Sequence, residues 1–164
     1  MKKLTLIAAM ALISTNAAAY DQSNLVLGLG VHNAFDSDDE LGGNIEWRGR
    51  RFDESFVGVP NISPQIGLSA DVEGDVNLYA GVLYDFNMSN GISIVPSFSV
   101  GLYNHADDGI DLGGALNFRS SIEVNYMYTA DTRLGLNLAH ISNFGIYDDN
   151  PGTETLTFNY SFAY

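Results

Sequence analysis

From Asn24 to Tyr164 the chain alternates: large apolar residues and small or polar ones change places at every second position, in eight successive segments. Successive side chains of a strand point to opposite faces, so a period of two predicts strands with one greasy and one polar face. The segments cover about 24–34, 43–52, 62–72, 75–86, 92–103, 111–128, 132–142 and 154–164. In the first, Leu25, Leu27, Leu29 and Val31 oppose Gly28 and Gly30. In the sixth, Leu116, Phe118, Ile122, Val124, Tyr126 and Tyr128 oppose Asn117, Arg119, Glu123 and Asn125.

Segments of about 9–11 residues with this patterning predict an all-β chain, an eight-stranded antiparallel transmembrane β-barrel. A sheet in lipid must close, because an open edge leaves unpaired backbone groups in hydrocarbon. Eight strands leave an interior that side chains fill, so no pore is expected. Glu46, Arg48, Arg50, Arg119, Glu123 and Arg133 are the candidates for that packed polar interior. A soluble lipocalin-type barrel alternates in the same way. Three features favour the membrane. Trp47, Tyr84, Phe86, Tyr126 and Tyr128 gather near segment ends, as interfacial aromatics do. Glycines and small polar residues occupy the face opposite the large apolar ones, which suits a narrow lumen. A third is the aromatic last segment ending in Tyr164, which resembles the C-terminal assembly signal of bacterial outer-membrane proteins.

The N-terminus agrees with this compartment. Lys2 and Lys3, the apolar stretch Leu4 to Ile13 and Ala17-Ala18-Ala19 read as a secretory signal peptide, too short for a spanning helix. Residues 1–19 are therefore expected to be removed, leaving 20–164 as one barrel domain. Loss of the two lysines takes the formal charge from −13 to −15 and leaves five arginines and no lysine. A nucleic-acid partner is not expected, since such a chain would carry a basic face. Without cysteine there is no disulfide framework and no thiol chemistry. The mean hydropathy of +0.02 reads as soluble only because alternation averages it away.

With an even number of strands, both ends fall on one side, the periplasm. Connections at 87–91 and 128–131 are then periplasmic turns, and those at 35–42, 104–110 and 144–152 are external loops. Asp36, Asp38, Asp39, Glu40, Asp107 and Asp108 make the external loops acidic. The external connection at 72–75 is unusually short, and the periplasmic one at 53–61 is long. His32 and His105, at strand ends beside acidic loops, read as surface histidines, and no metal site is expected.

The last two segments carry reactive groups where lipid-facing residues belong. Leu134, Leu136, Leu138, His140 and Ser142 share one parity; Glu154, Leu156, Phe158, Tyr160, Phe162 and Tyr164 share one on the next segment. A hairpin centred near Asp148 would pair Ser142 with Glu154 and put His140 diagonal to it, within side-chain reach. A serine hydroxyl needs a base to become a nucleophile, and a carboxylate orients the imidazole and stabilises its cation. An oxyanion needs donors nearby. Asn143, the Gly145 N–H and then Asn150 are the candidates.

The residues His140-Ile141-Ser142-Asn143-Phe144-Gly145 and Asn150-Pro151-Gly152-Thr153-Glu154 resemble the active-site region of the lipid A 3-O-deacylase (PagL) family of outer-membrane barrels. The resemblance is sharp over about 138–164 and architectural elsewhere. It implies His140, Ser142 and Glu154 as the catalytic residues, with Asn143 and Gly145 in the oxyanion region. The implied reaction, without metal or cofactor, is hydrolysis of the 3-position ester of lipid A in the bacterial outer membrane, releasing a 3-hydroxy fatty acid at the outer leaflet. It also leaves a homodimer open. Two alternatives stand beside it. One is a non-enzymatic barrel that stabilises the membrane or binds partners through acidic loops. The other is a phospholipase using the same three residues.

Overall fold

In a computed structural model, residues 22–35, 39–52, 61–88, 90–107 and 109–164 are described; the predicted signal peptide, Asp36, Asp38, Asp108 and most of the long connection at 53–61 lie outside them. Eight long strands follow one another: β1 (Asn24–His32), β2 (Glu40–Arg48), β3 (Ile62–Asp71), β4 (Val76–Tyr84), β5 (Ile92–Asn104), β6 (Leu116–Met127), β7 (Thr132–Ser142) and β8 (Thr153–Ala163). A two-residue continuation of β4, Phe86–Asn87, pairs with Ile94 and Ser93 of β5. Each strand pairs antiparallel with the next, and β8 returns to β1 with Leu25 opposite Phe162 and Val31 opposite Leu156. The sheet is thus the closed eight-stranded antiparallel barrel that the alternation predicts. It satisfies every strand edge internally, the condition for crossing hydrocarbon. No helix among the described residues is long and apolar enough to cross a membrane.

The two faces separate as the parity demands. Leu29, Ile45, Ile66, Leu78, Val100, Val124, Leu136 and Phe158 are exposed on the outside. Asn77, Asn117, Glu123, Asn125, Asn137 and Asn159 are buried inside. Much of the charge in the lumen is paired. Both terminal nitrogens of Arg48 donate to the Glu123 carboxylate at 2.8 and 2.9 Å, and its Nε donates to Glu46. The Tyr79 hydroxyl donates to Glu46 at 2.9 Å, and Arg119 lies 4.6 Å from the Tyr79 ring centre and donates to Asn137. Arg133 pairs with Asp85 near the end of the barrel that carries the chain termini. Arg50 does not join this interior. β2 ends at Arg48, and Arg50 is exposed beyond it.

Several boundaries move. β2 begins at Glu40, three residues before the expected 43, because Leu41 and Glu40 complete the ladder opposite Val31 and His32. β6 begins at Leu116, not 111, so the external loop before it is longer than expected. His32 is not a surface histidine. It points into the mouth of the barrel away from the chain termini, and its Nδ1 meets Asp71 at 3.2 Å. The short β3–β4 turn holds together because Asp71 Oδ1 accepts the N–H groups of Gly74 and Asp75.

Candidate active site

Where β7 meets β8, at the end of the barrel away from the chain termini, His140 and Glu154 are partly exposed on the outside of the sheet, and Ser142 shares their parity but is buried. His140 stands directly opposite Glu154 in the ladder, and Ile141 opposite Thr153. The expected register, with Ser142 opposite Glu154, is therefore off by one position on each strand. Continued outward, this register puts Gly152 opposite Ser142. The physical reason lies in the connection. Phe144 and Gly145 both take left-handed backbone conformations, at φ 57° and 74°, and the hairpin centres on Tyr147 instead of Asp148.

His140 Nδ1 donates to Glu154 Oε1 at 2.9 Å. An acceptor at Nδ1 assigns the proton to that nitrogen and leaves the lone pair on Nε2. The imidazole lies against Gly152. A Cβ there would come within 2.8 Å of His140 Cε1 and 3.5 Å of Nε2. Because Gly152 sits at the level of Ser142, the Cε1 edge of the ring leans toward that level of the barrel. The His140 and Glu154 side chains are partly exposed, whereas Ser142 is 9% exposed. Among the described residues no hydrogen bond joins the Ser142 hydroxyl to the imidazole. Such bonds are commonly long in substrate-free sites and tighten around substrate.

The expected oxyanion donors have other partners here. Asn143 is fully buried; its Nδ2 donates to the carbonyls of Leu112 at 2.7 Å and Asp149 at 2.6 Å. The Gly145 N–H donates to Asn143 Oδ1 at 2.7 Å, and Asn150 Oδ1 accepts the Asn143 N–H at 3.0 Å. All three residues therefore build the turn after Ser142 instead of presenting free donors. The Phe144 N–H, in the middle of that turn, has no acceptor among the described residues.

Beside His140 on the β6 side is a shallow open groove of about 280 Å³, lined by Ser120, Ser121, Ile122, Leu138 and His140. Ser120 is directly across from His140, and Phe118 across from Ser142. The groove exists because Ser120 takes an outward position where its neighbours on that face are Phe118 and Ile122. The clue was present in the sequence as a small polar residue interrupting an apolar outward run. Above the groove the Phe144 ring meets Phe118 edge-on, with centroids 5.2 Å apart, and Phe98 at 6.4 Å.

The fold and site define a transmembrane barrel that displays a histidine–carboxylate pair on its outward face, with a buried serine two residues further along the same strand. The lipid A 3-O-deacylase (PagL) family matches residues 67–163. The lipid A deacylase PagL of Bordetella bronchiseptica is 32% identical over 53 residues, which is 32% of this chain and 30% of that protein's length. Among solved structures, that of the outer membrane enzyme PagL superimposes with a TM-score of 0.66 at 18% identity, covering 86% of this chain and 99% of the other. Neisserial surface protein A superimposes with a TM-score of 0.59 at 12% identity, covering 91% and 100%. The chain belongs to the lipid A 3-O-deacylase (PagL) family, and its barrel is of the bacterial outer-membrane type.

Proposed function

We propose that this protein is a serine esterase of the outer leaflet that hydrolyses the 3-position acyl ester of lipid A. The observation that carries the reading is the His140–Glu154 hydrogen bond on the lipid-facing surface, one outward position below Ser142. In this mechanism Nε2 of His140 takes the proton of the Ser142 hydroxyl as Oγ attacks the acyl carbonyl. Glu154 keeps the proton on Nδ1 and stabilises the imidazolium that forms. The tetrahedral intermediate collapses when His140 returns the proton to the sugar oxygen, which leaves as the free 3-hydroxyl. A water, deprotonated by His140, then attacks the acyl-serine; His140 returns that proton to Ser142 Oγ as the acyl C–O bond breaks and the 3-hydroxy fatty acid is released. The oxyanion is assigned to the turn after the serine, where the Phe144 N–H is the uncommitted backbone donor and Asn143 and Gly145 set its position. The groove beside Ser120 opens toward the hydrocarbon and suits an acyl chain. The protein itself supplies the base, nucleophile and orienting carboxylate, so the reaction is written without a cofactor.

The test is mass spectrometry of lipid A from cells expressing the chain, beside a Ser142→Ala control. Loss of one 3-hydroxyacyl mass only with the intact serine is the expected result. An unchanged spectrum from a correctly folded barrel would sink the reading. Release of unsubstituted fatty acids from glycerophospholipids would replace it with a phospholipase.

A further inference from the structure

Asp75 sits at the end of the short β3–β4 turn, with its side chain inside the external mouth of the barrel and only 3% of the residue exposed. Its carboxylate accepts three hydrogen bonds. The Tyr103 hydroxyl donates at 2.5 Å, the Ala106 N–H at 2.7 Å and the Ile110 N–H at 3.0 Å. One carboxylate thus holds both ends of the stretch 106–110 of the β5–β6 loop. Gly109 approaches it closely. A Cβ on Gly109 would fall 1.8 Å from Asp75 Oδ1, so only glycine allows this approach.

The tethered loop leads directly to the back of the candidate active site. Leu112, 1% exposed, packs in the mouth with Tyr103, Ile110 and Ile141. Ile141 is the inward-facing residue between His140 and Ser142. The Leu112 carbonyl accepts from Asn143 Nδ2, and Asn143 Oδ1 accepts the Gly145 N–H. The loop is therefore a backing plate, bonded to Asp75 on one side and to the turn after Ser142 on the other.

We propose that Asp75 is a positioning residue for the catalytic hairpin, acting through the β5–β6 loop, from Ala106 and Ile110 to Leu112 and on to Asn143. This inference rests on the catalytic reading of Ser142, His140 and Glu154 for its kinetic consequence only. The β7–β8 ladder and barrel closure do not pass through Asp75, so its loss is expected to loosen the turn without opening the barrel. Asp75→Asn replaces one acceptor oxygen by an NH₂ group and turns it toward an N–H or hydroxyl donor. A buried donor then loses its acceptor, which costs more than the bond itself contributed.

The experiment uses the full barrel in detergent micelles, wild type and Asp75→Asn, with amide hydrogen exchange and deacylation kinetics on lipid A. The Gly145 and Ile146 amides, hydrogen-bonded to Asn143 Oδ1 and O, report the turn. The expected result is about tenfold faster exchange at both, with amides of β1 unchanged. The kinetic counterpart is a fall of about tenfold in kcat at nearly constant KM. In an Asn143→Ala background the same substitution adds nothing further, because both act on one contact chain. Faster exchange at Ala106 and Ile110 with no change at Gly145 and Ile146 overturns the proposal, since the loop would then let go without the hairpin responding. So does unchanged exchange at all four. If wild type leaves lipid A intact while the turn still loosens, Asp75 keeps its role and the deacylase reading alone fails.

Discussion

His140 and Glu154 face each other across the β7–β8 pair, and a 2.9 Å hydrogen bond joins Nδ1 to the carboxylate. In a ladder, directly opposed side chains are the nearest cross-strand neighbours, so this is the pair the backbone holds most firmly. Ser142 comes next on the same face, opposite a glycine that leaves room for the ring. The arrangement needs no long-range loop closure; two adjacent strands supply all three groups.

Replacing Glu154 removes the acceptor that keeps the proton on Nδ1. With Glu154→Ala the imidazole is free to rotate and to change tautomer. A fall in kcat of roughly 10² or more is expected, with KM little altered. Steady-state deacylation kinetics in mixed micelles check this. A variant as active as wild type would remove Glu154 from the mechanism.

Gly152 has φ +72° and lies under the imidazole. Gly152→Ala puts a methyl group 2.8 Å from Cε1 and also strains a left-handed backbone. The ring must tilt away from the serine, and misplacement on the order of 1 Å costs about 10² in rate. The barrel should still run as a folded, heat-modifiable band on a gel. Full activity in this variant would mean that the ring does not use the space above Gly152.

Ser120 interrupts an apolar outward run, and its small side chain opens the groove beside His140. Ser120→Leu restores the lipid-facing pattern and fills the groove. Unfolding in urea should occur at an equal or higher midpoint, since Leu is favourable against hydrocarbon. At the same time kcat/KM on lipid A should drop by about tenfold or more, the scale for occluding an acyl site. An unchanged kcat/KM would place the acyl chain elsewhere.

Deep in the lumen, Arg48 is bonded to Glu123 and Glu46. Arg48→Ala leaves two buried carboxylates without their cation, and losing one partner of a buried pair costs about 3–5 kcal/mol. Equilibrium unfolding from lipid vesicles measures it. Because the network lies far from the outer face, activity per folded molecule should hold. A stability loss under about 1 kcal/mol would show that water or rearranged asparagines replace the guanidinium.

Much of this protein is legible from residue parity alone. A strand exposes alternate residues, so the outward leucines of β7 already put His140 on the outer face, and the inward Arg48, Arg119 and Glu123 declare a polar lumen; Ser142 shares the outward parity but is covered. Parity is a property of each strand by itself, and closure follows because unpaired edges cannot sit in hydrocarbon. It fails where a residue lies past the strand's end, as at Arg50, because beyond the ladder no periodicity holds the side chain to a face.

Register and loop contacts are different in kind. Whether Glu154 meets Ser142 or His140 depends on how many residues the connection consumes, and the left-handed pair Phe144–Gly145 decides that. The Asn143–Leu112 bond, the burial of His32 and the three bonds to Asp75 depend on loops from different hairpins meeting at one mouth. Those contacts join residues tens of positions apart, and only closing the barrel brings them within hydrogen-bonding distance. The sequence by itself determined the barrel and its two faces; the tertiary structure decided which of the candidate residues touch and what stands behind them.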